Sequence, residues 1–410
     1  MRAYWAGAGV PGYPWAAIRD LVGRVLATTA ERITPLAVER TGMRPVPAGT
    51  LLMSFKLTIG RLAIAGCDLY TNEAIVAIVP ADGVSSGYLR HFLAHQDFAS
   101  ATDQAVKGAT LNKGKLADLR VVVPPAIEQN AIAAVLDAID EAIERVQATI
   151  AANERLREAL LHELLTRGVP GQHSEWKSVP GAGTVPACWD LAPLARATVD
   201  LRYGTSSRLT GEGSDGAHAV LRIPNVARGV ADFANLKYAR LSASEALTLA
   251  LQPGDLLIVR TNGNPAICGE SVVFDRPQGR WAFASYLLRL RTDPSVLDPT
   301  YLWTYLRSRA GRSQLSRIIR TSAGNYNLSA SGLAALQVAL PPVTEQRRIV
   351  DVARRQAEVL ASAQVEVECL RTFSLAVADA LLTGRVRLRS QVRASASGPR
   401  SQLPLTGLVR

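Results

Sequence analysis

Leu116-Ala-Asp-Leu-Arg-Val-Val-Val-Pro-Pro-Ala-Ile-Glu-Gln129 occurs a second time, as Leu333-Ala-Ala-Leu-Gln-Val-Ala-Leu-Pro-Pro-Val-Thr-Glu-Gln346. The offset is 217 residues, and 8 of the 14 positions are identical. The same offset carries Leu164-Leu-Thr166 onto Leu381-Leu-Thr383, so no insertion or deletion falls between the two landmarks. Such a period far exceeds the 20 to 50 residues of solenoid repeats. It implies two copies of one large unit, each a globular part followed by a long helix.

In each copy an apolar run meets Pro-Pro, which stops a strand. A long stripe at helical spacing follows. In the first copy it comprises Ile132, Val135, Ile139, Ile143, Val146, Ile150, Leu156, Leu160 and Leu164. Ile349, Val352, Leu360, Val367, Phe373, Val377 and Leu381 keep the phase in the second. Steps of three and four describe a coiled-coil-like seam. About 39 residues of helix run roughly 58 Å, too long to bury a stripe against one small domain. Pairing of the two helices with each other is the simplest solution, and antiparallel pairing makes them a rigid spacer.

The globular parts read as mixed α/β. Thr50-Leu-Leu-Met-Ser-Phe-Lys56 and Ala74-Ile-Val-Ala-Ile-Val79 are buried strands by composition, and Gly87 to His95 is a short helix. Gly254-Asp-Leu-Leu-Ile-Val259 matches Gly49-Thr-Leu-Leu-Met-Ser54, and Tyr301 to Arg307 parallels the helix at 87. The expected layout is 1–125 as a first globular domain with a short or divergent N-terminus and 126–171 as the first spacer helix. Residues 172–343 form a second domain, 344–385 the second helix, and 386–410 a basic disordered tail with five Arg and no acid.

The chain has 410 residues, 48% of them hydrophobic and 20% charged, which excludes a mainly disordered chain. It lacks an apolar run long enough to span a membrane and has no export signal pattern, so a cytoplasmic, membrane-free protein is expected. Cys67, Cys188, Cys268 and Cys369 are scattered, with no close pair, and suit buried free thiols in a reducing cytosol. The net charge of +11 divides into +4 over 1–125, −4 over 126–171, +6 over 172–343, zero over 344–385 and +5 over 386–410. Basic globular parts favour a polyanion, and acidic or neutral helices favour protein contacts.

Together these features resemble the specificity subunit of type I restriction-modification systems. The resemblance rests on the two strand–Pro-Pro-x-x-Glu-Gln–helix–Leu-Leu-Thr units, the Gly49-to-Gly60 block with Thr71-Asn72, and the Gly254-to-Gly263 block. Pro186-Ala-Cys-Trp189, followed by Tyr203-Gly-Thr205, adds to it. It implies two target recognition domains reading the halves of a split site in double-stranded DNA. It also implies long helices that dock two methyltransferase subunits and restriction/translocase subunits, and no catalysis by this chain. The first domain departs from the pattern: only 48 residues precede Gly49, and Pro11-Gly-Tyr-Pro-Trp15 is a degenerate opening.

Base readout needs donors and acceptors on loops, with Arg and Lys for phosphates. In the second domain the candidates are Arg202, Tyr203, Thr205 and Ser206; Arg260, Thr261, Asn262 and Asn264; and Arg320, Asn325, Tyr326 and Asn327. In the first they are Lys56, Thr58, Lys107, Thr110, Asn112 and Lys113. The bland reading of the same residues is turn formation. No catalytic residue, metal ligand or cofactor is expected. Gly108 to Lys115 mimics a phosphate-binding loop but has five residues between its glycines and Leu116 at the magnesium position. His91 and His95 lack the Glu of a zinc-protease helix. The acidic face of the first helix (Asp137, Asp140, Glu141, Glu144) is a candidate docking surface, and solvation explains it equally well. A protein-assembly scaffold without DNA readout is the alternative function.

Overall fold

The computed structural model describes residues 2–7, 9–98, 102–105, 108–111, 119–179, 183–213, 215–227, 229–276, 278–322, 324–388 and 401–405. It is a mixed helix-and-sheet chain in two compact units, Met1–Ala148 with Val365–Arg410, and Thr149–Gln364. The long helices, Ala126–Arg167 and Val343–Leu382, each contribute residues to both units.

Inside each unit the start of one long helix packs beside the end of the other. In the first unit Ile132 and Leu136 share a core with Ala378, Leu381 and Leu382. In the second, Leu164 and Leu165 share a core with Ile349. Start against end is antiparallel packing, as the stripe predicts. The stripe needs correction at three positions. Leu136 rather than Val135 is buried in the third turn, Val135 being 38% exposed, and Leu156 and Phe373 are each 56% exposed. A straight helix drifts off a strict heptad seam, so a stripe read over eleven turns cannot face one neighbour throughout.

A buried three-stranded core recurs in both units. Leu51–Ser54 lies between Leu62–Ala65 and Ile75–Ile78, antiparallel to both. Leu256–Val259 lies between Ser271–Val273 and Leu287–Thr292 in the same way. All four residues of each central strand are buried, which is why both read as unbroken apolar runs.

The Glu-Gln of the repeated motif has a structural explanation. Gln129 Oε1 accepts from Ser85 N at 2.8 Å, and its Nε2 donates to Gly83 O and Pro124 O, each at 2.8 Å. Gln346 repeats all three bonds, accepting from Asp298 N at 2.8 Å and donating to Val296 O at 2.9 Å and Pro341 O at 2.8 Å. Both side chains are buried. Each locks the first turn of a long helix to the loop that starts the short helix Ser86–Ala94 or Pro299–Arg307. Tyr88 and Tyr301 on those short helices donate to equivalent carbonyls, Val122 O at 2.5 Å and Ala339 O at 3.1 Å.

The tail expectation fails at Ser401–Leu405. Ser401–Pro404 is a strand, antiparallel to Arg120–Val123, in the register Arg120↔Pro404, Val121↔Leu403, Val122↔Gln402 and Val123↔Ser401. In the second unit Asp190–Pro193 pairs with Gln337–Leu340 in the register Gln337↔Pro193, Val338↔Ala192, Ala339↔Leu191 and Leu340↔Asp190. Shifted by 217 residues, the two registers coincide. Leu405 N donates to Leu119 O at 3.0 Å, as Leu194 N does to Leu336 O at 2.8 Å, and both leucines are buried. The C-terminal segment thus occupies, in the first unit, the place of the strand that opens the second globular part. The first unit is a circular permutant of the second at this strand, which accounts for its degenerate N-terminal opening.

Candidate nucleic-acid interface

In the second unit Thr198–Tyr203 extends the three-stranded core at the edge of Leu287–Thr292. The pairings Tyr203↔Leu288 and Val259↔Leu287 bring Tyr203, Tyr286 and Arg260 to one end of the sheet. Arg260 is the pivot. Its N–H donates to Tyr286 O at 3.0 Å and its carbonyl accepts from Leu328 N at 2.7 Å. Its guanidinium lies 4.7 Å from the centre of the Tyr203 ring. Beyond Arg260, Thr261–Asn262 pairs with Asn325–Asn327, which pairs in turn with Arg320–Ser322. The three candidate loops of this domain therefore converge on one surface.

Local chemistry fixes that surface. Tyr203 is 42% exposed, and its hydroxyl accepts from Ala330 N at 3.0 Å, so the ring is held at both ends. Gly204 is obligatory, because a Cβ there would stand 2.2 Å from Phe283 O. Asn262 Oδ1 accepts from Asn264 N at 2.8 Å, and Asn264 Oδ1 accepts from Ala266 N at 3.0 Å. With each carbonyl so occupied, the amide NH2 groups remain to donate outward, as suits an acceptor on a base edge. Arg320, Thr321, Ser322, Asn325 and Ser206 are exposed, while Tyr326 is half-buried and packs on the core. Asn327 Nδ2 donates to Asn325 O at 3.1 Å.

Two candidates have other work. Thr205 is buried, its backbone bridges Phe283 and Ser285, and its hydroxyl accepts from Ser207 N at 3.0 Å, so it is scaffold. Arg202 is clamped to both oxygens of Asp200, which also binds the buried Arg289. Burial would raise the Asp200 carboxyl, but the hydrogen bonds from Arg202 and Arg289 outweigh it and hold it below the usual range. Tyr286, 59% exposed at the same sheet end, escaped the sequence reading. It lies immediately before the apolar strand Leu287–Thr292, and in the sequence only the preceding Ser285 hints that the chain is still at the surface.

The first unit builds this surface less fully. Lys56 follows its central strand as Thr261 follows the other, and its ammonium lies 5.5 Å from the Phe55 ring. Thr58 is exposed, and its carbonyl accepts from Ser54 Oγ. Thr102–Ala105 pairs with Gly108–Leu111, placing Thr110 opposite Asp103, at a register equivalent to Arg320↔Asn327. Gly108–Leu111 is strand, and the rest of the Gly108-to-Lys115 segment lies outside the described residues. Lys107, Asn112 and Lys113 lie outside the described residues. Among the described residues no counterpart of Thr198–Tyr203 borders Ile75–Ile78.

Three of the four acids on the first helix's acidic face, Asp137, Asp140 and Glu141, are engaged within their own unit. Arg90 binds Asp137 at 2.8 Å and Asp140 at 3.1 Å, Arg24 binds Asp137 at 3.2 Å and Glu141 at 3.1 Å, and His91 Nε2 lies 2.9 Å from Asp137. The Arg90 guanidinium also reaches His91 at 2.8 Å, so a protein cation already fills the space between His91, Asp137 and Asp140. Burial, and then the Arg90 charge, hold the His91 imidazole below its ordinary pKa.

Residues 7–153 match the family model described as "Type I restriction modification DNA specificity domain". The chain is 26% identical over 276 residues to the EcoKI specificity subunit of Escherichia coli (strain K12), covering 66% of this chain and 58% of that one. It is 24% identical over 331 residues to the StySPI specificity subunit of Salmonella potsdam, covering 78% and 69%. Its fold is similar to a solved chain from a study of complex assembly and conformational transition of the type I R-M system, with a TM-score of 0.58 at 16% identity, covering 94% of this chain and 96% of that one. Among the described residues no helix is long and apolar enough to cross a membrane. With its duplicated strand–Pro-Pro–Glu-Gln–helix plan, the chain is similar to the specificity subunits of type I restriction-modification systems, spanning 58% and 69% of the lengths of these two relatives, and its residues 7–153 carry their specificity-domain pattern.

Proposed function

We propose that this chain is the DNA sequence-recognition subunit of a type I restriction-modification complex and reads a bipartite site in double-stranded DNA. Within that complex it is non-catalytic: methyl transfer and cleavage come from methyltransferase subunits, two in number, and from restriction/translocase subunits. The observation that carries the reading is the convergence of Arg260, Asn262, Asn264, Arg320 and Asn325 with two exposed tyrosines at one end of the second unit's sheet. Amides and guanidinia are the groups that discriminate adenine and guanine edges, and cations beside them hold phosphates. The second domain, 172–343, is the principal reader; the first, 1–125, reads the other half-site with a smaller set centred on Lys56, Thr58 and Thr110. The spacer segments 126–171 and 344–385 set the distance between half-sites.

Methylome sequencing of the host before and after deletion of the gene tests this. One methylated motif made of two short half-sites and a fixed gap should vanish on deletion. An unchanged methylome in a host with the partner subunits would contradict it.

A further inference from the structure

At the junction of the second globular part with the second long helix, Cys188 Sγ lies 3.6 Å from His173 Nδ1. On the far side of the ring, His173 Nε2 lies 2.7 Å from Glu345 Oε1. Glu345 is buried and is held in turn by Trp189 Nε1 at 3.0 Å and Val169 N at 3.2 Å. His173 sits edge-on to Trp176 and Trp189, with ring centres 6.2 and 6.0 Å away. Cys188 itself is exposed.

Thiol and carboxylate address opposite nitrogens of one imidazole, which is the geometry of a proton relay; a shared metal would require their donor atoms to converge. Glu345 fixes the tautomer. A carboxylate can only accept, so Nε2 carries a proton, and Nδ1 is the nitrogen that faces the thiol. The flanking indoles keep the ring from turning.

We propose that Cys188 is a nucleophilic thiol activated by His173 and Glu345, and that it is a modification site for small electrophiles, hydroperoxides among them. His173 Nδ1 takes the thiol proton as sulfur attacks. With hydrogen peroxide an S–O bond forms and the O–O bond breaks. Sulfur is oxidised to the sulfenic acid, the peroxide is reduced, and the departing hydroxide leaves as water with the proton from His173. The new group on Sγ presses against His173. It thereby disturbs the same Glu345 that ties Trp189 and Val169 to the start of the helix.

The test uses the intact chain at neutral pH with a limiting amount of iodoacetamide, followed by peptide mapping. Cys369, also exposed, is the reference thiol in the same molecule, and buried Cys268 reports unfolding. Cys188 should be alkylated roughly tenfold faster than Cys369, as a thiol beside a general base is against an isolated one. The His173→Asn variant should bring the two rates together while Cys268 stays unlabelled. Equal rates in the unaltered protein overturn the proposal, and this comparison stands even if the variant unfolds. Hydrogen peroxide followed by a sulfenic-acid trap should mark Cys188 ahead of Cys369; marking of Cys369 alone also overturns it.

Discussion

Gln129 and Gln346 each bind the amide that begins a short helix and two carbonyls, fully enclosed. A leucine there would leave a buried amide and two carbonyls unpaired, each costing about 1–3 kcal/mol. Gln346→Leu should therefore lower unfolding free energy in a denaturant titration by several kcal/mol, with reporters in the second unit affected most. At the candidate interface the residues separate by chemistry. Arg320→Ala should weaken DNA binding by the assembled complex about equally across sequences and reduce the salt slope by about one. Asn262→Ala should cost about 1–3 kcal/mol on the cognate site and little on unrelated DNA. Fluorescence anisotropy on cognate and scrambled duplexes at two salt concentrations reads both; equal losses on both duplexes from Asn262→Ala would remove it from base contact. The Glu-Gln pair stood out in the sequence because it occurs twice, but its role did not. A buried Gln is defined by partners 44 and 48 residues away, which no local pattern shows. Arg202 and Thr205 illustrate the converse. Polar residues beside a glycine suggest an open loop, whereas Asp200, Arg289 and the Phe283 carbonyl enclose them.

Among the elements, the long helices and central strands were legible because burial imposes one period over many residues. The strand Ser401–Pro404 was not. Fifteen Arg- and Ser-rich residues precede it, and its resemblance to Asp190-Leu-Ala-Pro193 is confined to the Pro and the Leu that follows. Its pairing joins residues 278 to 284 apart, beyond any local signal. Leu405→Ala should destabilise the first unit by about 2–5 kcal/mol, the usual cost of emptying a buried leucine site. Unfolding followed through Trp5 and Trp15, both in that unit, would show it, and a change below about 0.5 kcal/mol, the size of an ordinary surface substitution, would mean that this strand does not support the unit.

For the molecule as a whole, the proposed function assigns DNA contact to the basic globular parts and protein contact to the neutral or acidic helices, with the helices as a ruler between half-sites. Ala126–Arg167 has 42 residues, about 63 Å at 1.5 Å per residue. Four extra residues in the middle of each long helix add about 6 Å, close to two base pairs at 3.4 Å each. Methylome sequencing of a strain carrying that doubly lengthened chain is the most direct measurement. The same two half-sites should reappear separated by a longer gap; the same half-sites at the original gap would contradict a spacer role for the helices.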